Sequence, residues 1–129
     1  MDSLDEDLLI AKPQLDCVIK DLPALDVNEL LIKRGESTFF MRVGSMALKD
    51  FGILKGDILV VDRALDAVND ALIVVYLKKG FITRKYIEEN GKIKLLSGNE
   101  EFKTLTVKDI SKFRVFGVVT SVIRQLISM

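Results

Sequence analysis

The sequence predicts a mainly β domain, a compact and curled antiparallel assembly with one short helix near its start. Three observations carry this reading. Apolar runs of strand length recur from Thr38 to Ile123. Turn signals built on Gly or Asn separate them, with Asn90-Gly91 the strongest. Only Asp26–Gly35 carries both a helix start and a helix stop. At 129 residues and 49% apolar content the chain makes one globular domain.

Residues 1–25 read as an amino-terminal arm. Acidic residues (Asp2, Asp5, Glu6, Asp7) alternate with small apolar clusters, Leu8-Leu9-Ile10 and Val18-Ile19, and both prolines, Pro13 and Pro23, fall here. The prolines argue against continuous regular structure, and the clusters call for a surface to dock on. The β domain follows over 26–129. Asp26-Val27-Asn28-Glu29 is an Asp-x-x-Glu capping pattern closed by Gly35, which predicts a helix from about 27 to 34. Thr38–Val43 and Ile58–Val61 are the first two strands, the second entered through Gly56-Asp57. Leu72–Leu77 and Phe81–Ile87 form a hairpin through Lys78-Lys79-Gly80. In Ile82–Ile87 the alternation is loose, as beside a sheet edge or cleft. Asn90-Gly91 turns the chain into Ile93–Leu96, and Val115–Ile123 is a long final strand.

Composition excludes several function classes. The 19 basic and 19 acidic residues cancel, so no net charge draws the chain to nucleic acid or to an anionic membrane. No apolar stretch approaches the ~20 residues of a membrane span, and the acidic start is the opposite of a signal peptide. The single cysteine, Cys17, forms no intrachain disulfide and suits a reducing, cytoplasmic setting. Histidine is absent, which removes Ser-His-Asp and Cys-His catalysis and histidine-based zinc sites. No phosphate-cradling glycine motif is present. No cofactor and no metal are therefore expected, and any catalysis must run on Ser/Lys or carboxylate chemistry.

Six segments, in order and spacing, resemble the self-cleaving Ser/Lys peptidases typified by UmuD and the carboxy-terminal domain of LexA. They are Asp26–Ile32 with Ser37–Phe40, Gly52-Ile53 with Gly56–Asp62, Asn69–Val74, Phe81–Lys85, Leu95–Asn99, and Val115–Val119. The resemblance spans roughly 26–123 and implies the LexA/UmuD carboxy-terminal fold. Asn69 stands where glycine is usual, a mild change because Asn tolerates left-handed backbone. With no helix-turn-helix segment ahead of the match, UmuD is nearer than a full repressor. Family members activate a serine with a deprotonated lysine and cut their own arm, usually at Ala-Gly or Cys-Gly. Cleaved UmuD dimers then join a Y-family polymerase subunit in SOS mutagenesis.

The catalytic positions depart from that pattern. The family motif Ser-Gly-Asp-Ser-Met faces Val43-Gly44-Ser45-Met46-Ala47-Leu48. Without gaps the nucleophile falls on Ala47 and the base on Arg84. Alanine has no nucleophilic oxygen, and arginine stays protonated. A gapped register instead pairs Ser45 with the nucleophile, and Lys85 is the neighbouring candidate base. Lys85 reaches the Arg84 side of a regular strand only through a bulge. Ser45 is otherwise a turn serine beside Gly44. No glycine precedes Gly35, so the usual scissile bond is also missing. The favoured expectation is a homodimeric accessory subunit of a Y-family translesion polymerase, a degenerate peptidase with no direct nucleic-acid or membrane contact. A recombinase filament is a further expected partner. An active peptidase using Ser45 and Lys85, and a LexA-like repressor fragment, are the alternatives.

Overall fold

A computed structural model describes residues 6–16 and 26–128. Its framework is one seven-stranded antiparallel sheet in the order β1-β2-β7-β3-β4-β5-β6. The strands are β1 (Thr38–Arg42), β2 (Ile58–Asp62), β3 (Leu72–Leu77), β4 (Gly80–Glu89), β5 (Lys92–Leu96), β6 (Leu105–Thr106) and β7 (Val115–Ile123). The mainly β fold class predicted for the chain is thus what the structure has.

Local chemistry sets the hairpins. Asn90 and Gly91 both adopt positive φ, 52° and 76°, which matches the right-handed twist of β4 and β5 across a two-residue turn. Leu77 pairs with Gly80 across Lys78-Lys79. Register shifts at Val60/Val61 and Val74/Val75 bend the sheet, and apolar clusters form on both faces. One gathers Leu48, Ile53, Leu59, Val61, Val74 and Phe116, the other Ile73, Val75, Tyr86, Ile93, Leu95 and Val118.

Two expectations need correction, and two features go beyond the sequence reading. The helix α1 is Val27–Leu31 only, capped by the Asp26 side chain on the Asn28 N–H. Ile32 is already extended, so the predicted last turn is not helical. The left-handed residue at the β3 entry is Asp70, φ 71°, rather than Asn69. Asn69 acts through its side chain instead, whose Oδ1 accepts from Glu88 N–H at 2.6 Å. The final strand is not an edge of the sheet. β7 lies between β2 and β3, although β3 covers only its first half, Val115–Val118. Finally, β6 has no counterpart in the sequence reading.

The described part of the arm, 6–16, is exposed throughout and holds one short turn at Glu6–Leu8. Val18-Ile19, Pro23 and Cys17 lie outside the described residues. No described helix is long and apolar enough to cross a membrane.

Candidate active-site cleft

The segment between β1 and β2 is held as a compact turn over the sheet. Val43 exchanges backbone hydrogen bonds with Asp57 and Gly56 across its base, both at 2.8 Å. Its crest is clamped from the loop after β5. Gly98 N–H donates to Ala47 C=O at 2.6 Å, Asp50 N–H donates to Gly98 C=O at 2.8 Å, and Asn99 Nδ2 donates to Met46 C=O at 3.0 Å. Asn99 is buried, so this side chain is committed to the turn. A Cβ on Gly98 would come 2.9 Å from the Phe51 ring, which explains a glycine at that point.

Behind the turn, Asp57 anchors the rest of the segment. It accepts from Leu54 N–H at 2.8 Å and from Arg124 at 2.7 and 2.6 Å, while Arg124 also donates to Gly52 C=O at 2.7 Å. The Arg124 hydrogen bond, aided by the Leu54 amide, lowers the Asp57 carboxyl from 3.8 to about 2. Asp62, at the far end of β2, accepts from Ala64 N–H, Ser37 and Arg34 and is likewise lowered, chiefly by the Ala64 amide.

A cleft of about 480 Å³ opens between this turn and β4, and Ser45, Ala47, Leu48, Thr83, Arg84 and Phe102 contribute to its walls. Both gapless positions, Ala47 and Arg84, are therefore brought to one cleft. Ser45 lines it too, but its Oγ accepts from Ala47 N–H at 3.3 Å, the bond of a turn serine. Lys85 does not line it. β4 runs in regular register with β3, Ile73 opposite Arg84 and Leu72 opposite Lys85, so the two side chains leave on opposite faces. Lys85 Nζ sits 4.3 Å over the Phe51 ring. The bulge that would turn Lys85 toward Ser45 is absent from this pairing, and no lysine stands among the described residues lining the cleft.

Arg84 is half-buried. Its Nη1 donates to Thr83 C=O at 2.8 Å, its guanidinium lies 5.6 Å from the Phe102 ring centre, and its Nε is buried without a partner. Burial pulls its pKa below the usual arginine range. Phe102, the Asn99 clamp and the Asp57–Arg124 pair were not singled out from the sequence. Leu95–Asn99 was visible as a motif, but nothing local to it signals that Asn99 reaches residue 46.

The comparisons fit this geometry. The Peptidase S24-like family matches residues 14–120. The chain belongs to that family, the LexA/UmuD group. It is similar to the LexA repressor of Bordetella pertussis, 33% identical over 86 residues, covering 67% of this chain and 40% of the repressor. It is also similar to Protein ImpA of Salmonella typhimurium and Escherichia coli, 32% identical over 102 residues, covering 78% of this chain and 68% of ImpA. The chain thus spans well under half the length of the LexA repressors it matches.

Proposed function

We propose that this S24-family chain is a UmuD-like accessory subunit of a Y-family translesion polymerase that has lost self-cleavage. The observation that carries the reading is the meeting of Ala47 and Arg84 in one cleft while Lys85 lies against Phe51. A serine peptidase of this kind needs a hydroxyl and a base that gives up its proton. Alanine lacks the first, and guanidinium does not supply the second. The match to ImpA over most of both chains supports the UmuD-like assignment, and the zero net charge supports contact with DNA through a partner rather than directly. The subunit acts in the cytoplasm as a homodimer, with a recombinase filament as a further partner. Support for the dimer is the second half of β7, whose edge toward β3 carries no strand among the described residues.

Intact-mass measurement tests the catalytic part. The full chain is expected to keep its mass for a day at neutral and alkaline pH, with and without an activated recombinase filament. Ala47→Ser alone and Arg84→Lys alone stay intact as well, because a nucleophile without a base is idle and so is the converse. Shortening of the unmodified chain, abolished by Ser45→Ala, refutes this reading and restores Ser45 as nucleophile. Co-purification with a Y-family polymerase tests the accessory role separately.

A further inference from the structure

A charged group taken out of water needs a partner, and Arg84 has only part of one. Its Nε is buried and unpartnered, and Asp and Glu are absent from the described residues lining the cleft. Uncompensated burial of a cation is costly. The fold nevertheless holds the guanidinium in place. Tyr86 directs its backbone at the β3 side, accepting from Asp70 N–H and donating to Ala71 C=O. By strand alternation, Phe81 and Thr83 turn their backbone groups to the opposite side. No strand pairs with that side among the described residues, because β5 ends at Leu96 opposite Lys85. Thr83 C=O takes the Arg84 Nη1 there, and Phe102 backs the guanidinium plane. Thr83 N–H is left as a second donor on the same edge. The remaining walls are mostly apolar, including Met41, Leu59 and Phe81.

We propose that Arg84 makes this cleft a binding site for a carboxylate carried on an apolar stem. The fork of Arg84 neutralises and orients the carboxylate, and the apolar walls take the stem. No covalent step is involved, and the site does not depend on the polymerase-subunit reading. The carboxylate has two sources of the same chemistry: an Asp or Glu of the arm, where Asp5-Glu6-Asp7 precedes Leu8-Leu9-Ile10, or a separate molecule.

The test uses the full isotope-labelled chain, sodium hexanoate as probe and hexanamide as its uncharged match. Hexanoate is expected to shift the Arg84 Nε–Hε and Ala47 methyl resonances saturably at millimolar concentration, and hexanamide is not. Arg84→Gln weakens hexanoate binding by about tenfold or more, while Arg84→Lys, which keeps the charge and loses the fork, weakens it less. Neutralising the arm (Asp2→Asn, Asp5→Asn, Glu6→Gln, Asp7→Asn, Asp16→Asn) assigns the source. Tighter hexanoate binding shows that the arm competes for the site, and unchanged binding assigns the carboxylate to another molecule. Equal shifts with hexanamide, equal affinity in Arg84→Gln, or no saturable shift in the wild-type chain each overturn the proposal. A cleavage result on the same protein leaves these outcomes unaffected.

Discussion

Leu48 follows Ala47 and joins the cleft to the core, so Leu48→Ala measures how firmly the site is built in. The side chain is 2% exposed and sits with Ile53, Leu59, Val61, Val74 and Phe116. Truncation removes about three methylene equivalents at ~0.8 kcal/mol each, near 2.4 kcal/mol of transfer free energy. Val61 and Val74 are fully buried on central strands and do not collapse into the gap. A retained cavity then adds about 1 kcal/mol, for a total of about 3.5 kcal/mol. For a domain of this size that corresponds to a fall in Tm of about 14 °C. Urea unfolding followed by circular dichroism gives the free energy directly, with the slope unchanged if only packing is lost. Leu48→Met, which nearly conserves volume, costs less than about 1.5 kcal/mol. A loss below about 1 kcal/mol in Leu48→Ala would refute the claim that this turn is rigidly seated on the sheet.

Gly117→Ala is expected to destabilise by at least about 1–3 kcal/mol in the same assay, because a Cβ there would lie 2.7 Å from Val61 Cγ1 and 3.0 Å from the Asp62 carbonyl oxygen. Asp57 titrates from 3.8 down to about 2 on folding, so its contribution is complete above about pH 4 and is lost as pH falls through 2. Asp57→Asn should therefore flatten the acid limb of stability between those values relative to wild type, and an unchanged limb would disprove the role of the Arg124 pair. Sedimentation at tens of micromolar is expected to show a dimer, and a stable monomer would argue against pairing through the open half of β7.

The parts of the fold visible in the sequence are those written in local chemistry. Asn90-Gly91 fixes its turn through two positive φ angles, and the strand runs keep nearly the expected bounds. What local pattern cannot encode is which strand lies beside which. Val115–Ile123 reads equally well as an edge or a centre, and only the tertiary pairing with β2 and β3 settles it. The two residues of β6 contain no apolar run and owe their state to pairing with Lys94 and Leu95. At the site, counting along the motif reached Ala47 and Arg84, and strand parity separated Arg84 from Lys85. Asp57 was legible within its Gly-Asp motif. Its partner Arg124, 67 positions away, was not.

The clamp on the turn holds the shape of the cleft without the side chain at position 47. Ala47 is held through its carbonyl by Gly98 N–H, and the preceding residue is held through its carbonyl by Asn99. Neither bond uses the side chain at position 47. A serine there is therefore not needed to keep the turn in place, and neither is a lysine at position 84, where β4 is fixed by its ladder to β3. The same independence applies to the anchor beneath, since the side-chain hydrogen bonds of Asp57 and Arg124 go to Leu54, Gly52 and each other. On the proposed reading, loss of the hydroxyl and of the titratable amine removes reactivity while leaving walls, volume and an open strand edge. Arg84 then changes what the cleft selects. A lysine that must act neutral favours no anion, whereas a permanent guanidinium in a cleft with no Asp or Glu among its described lining residues does. On that reading, Ala47 and Arg84 together suit the site to retaining a ligand rather than to breaking a bond.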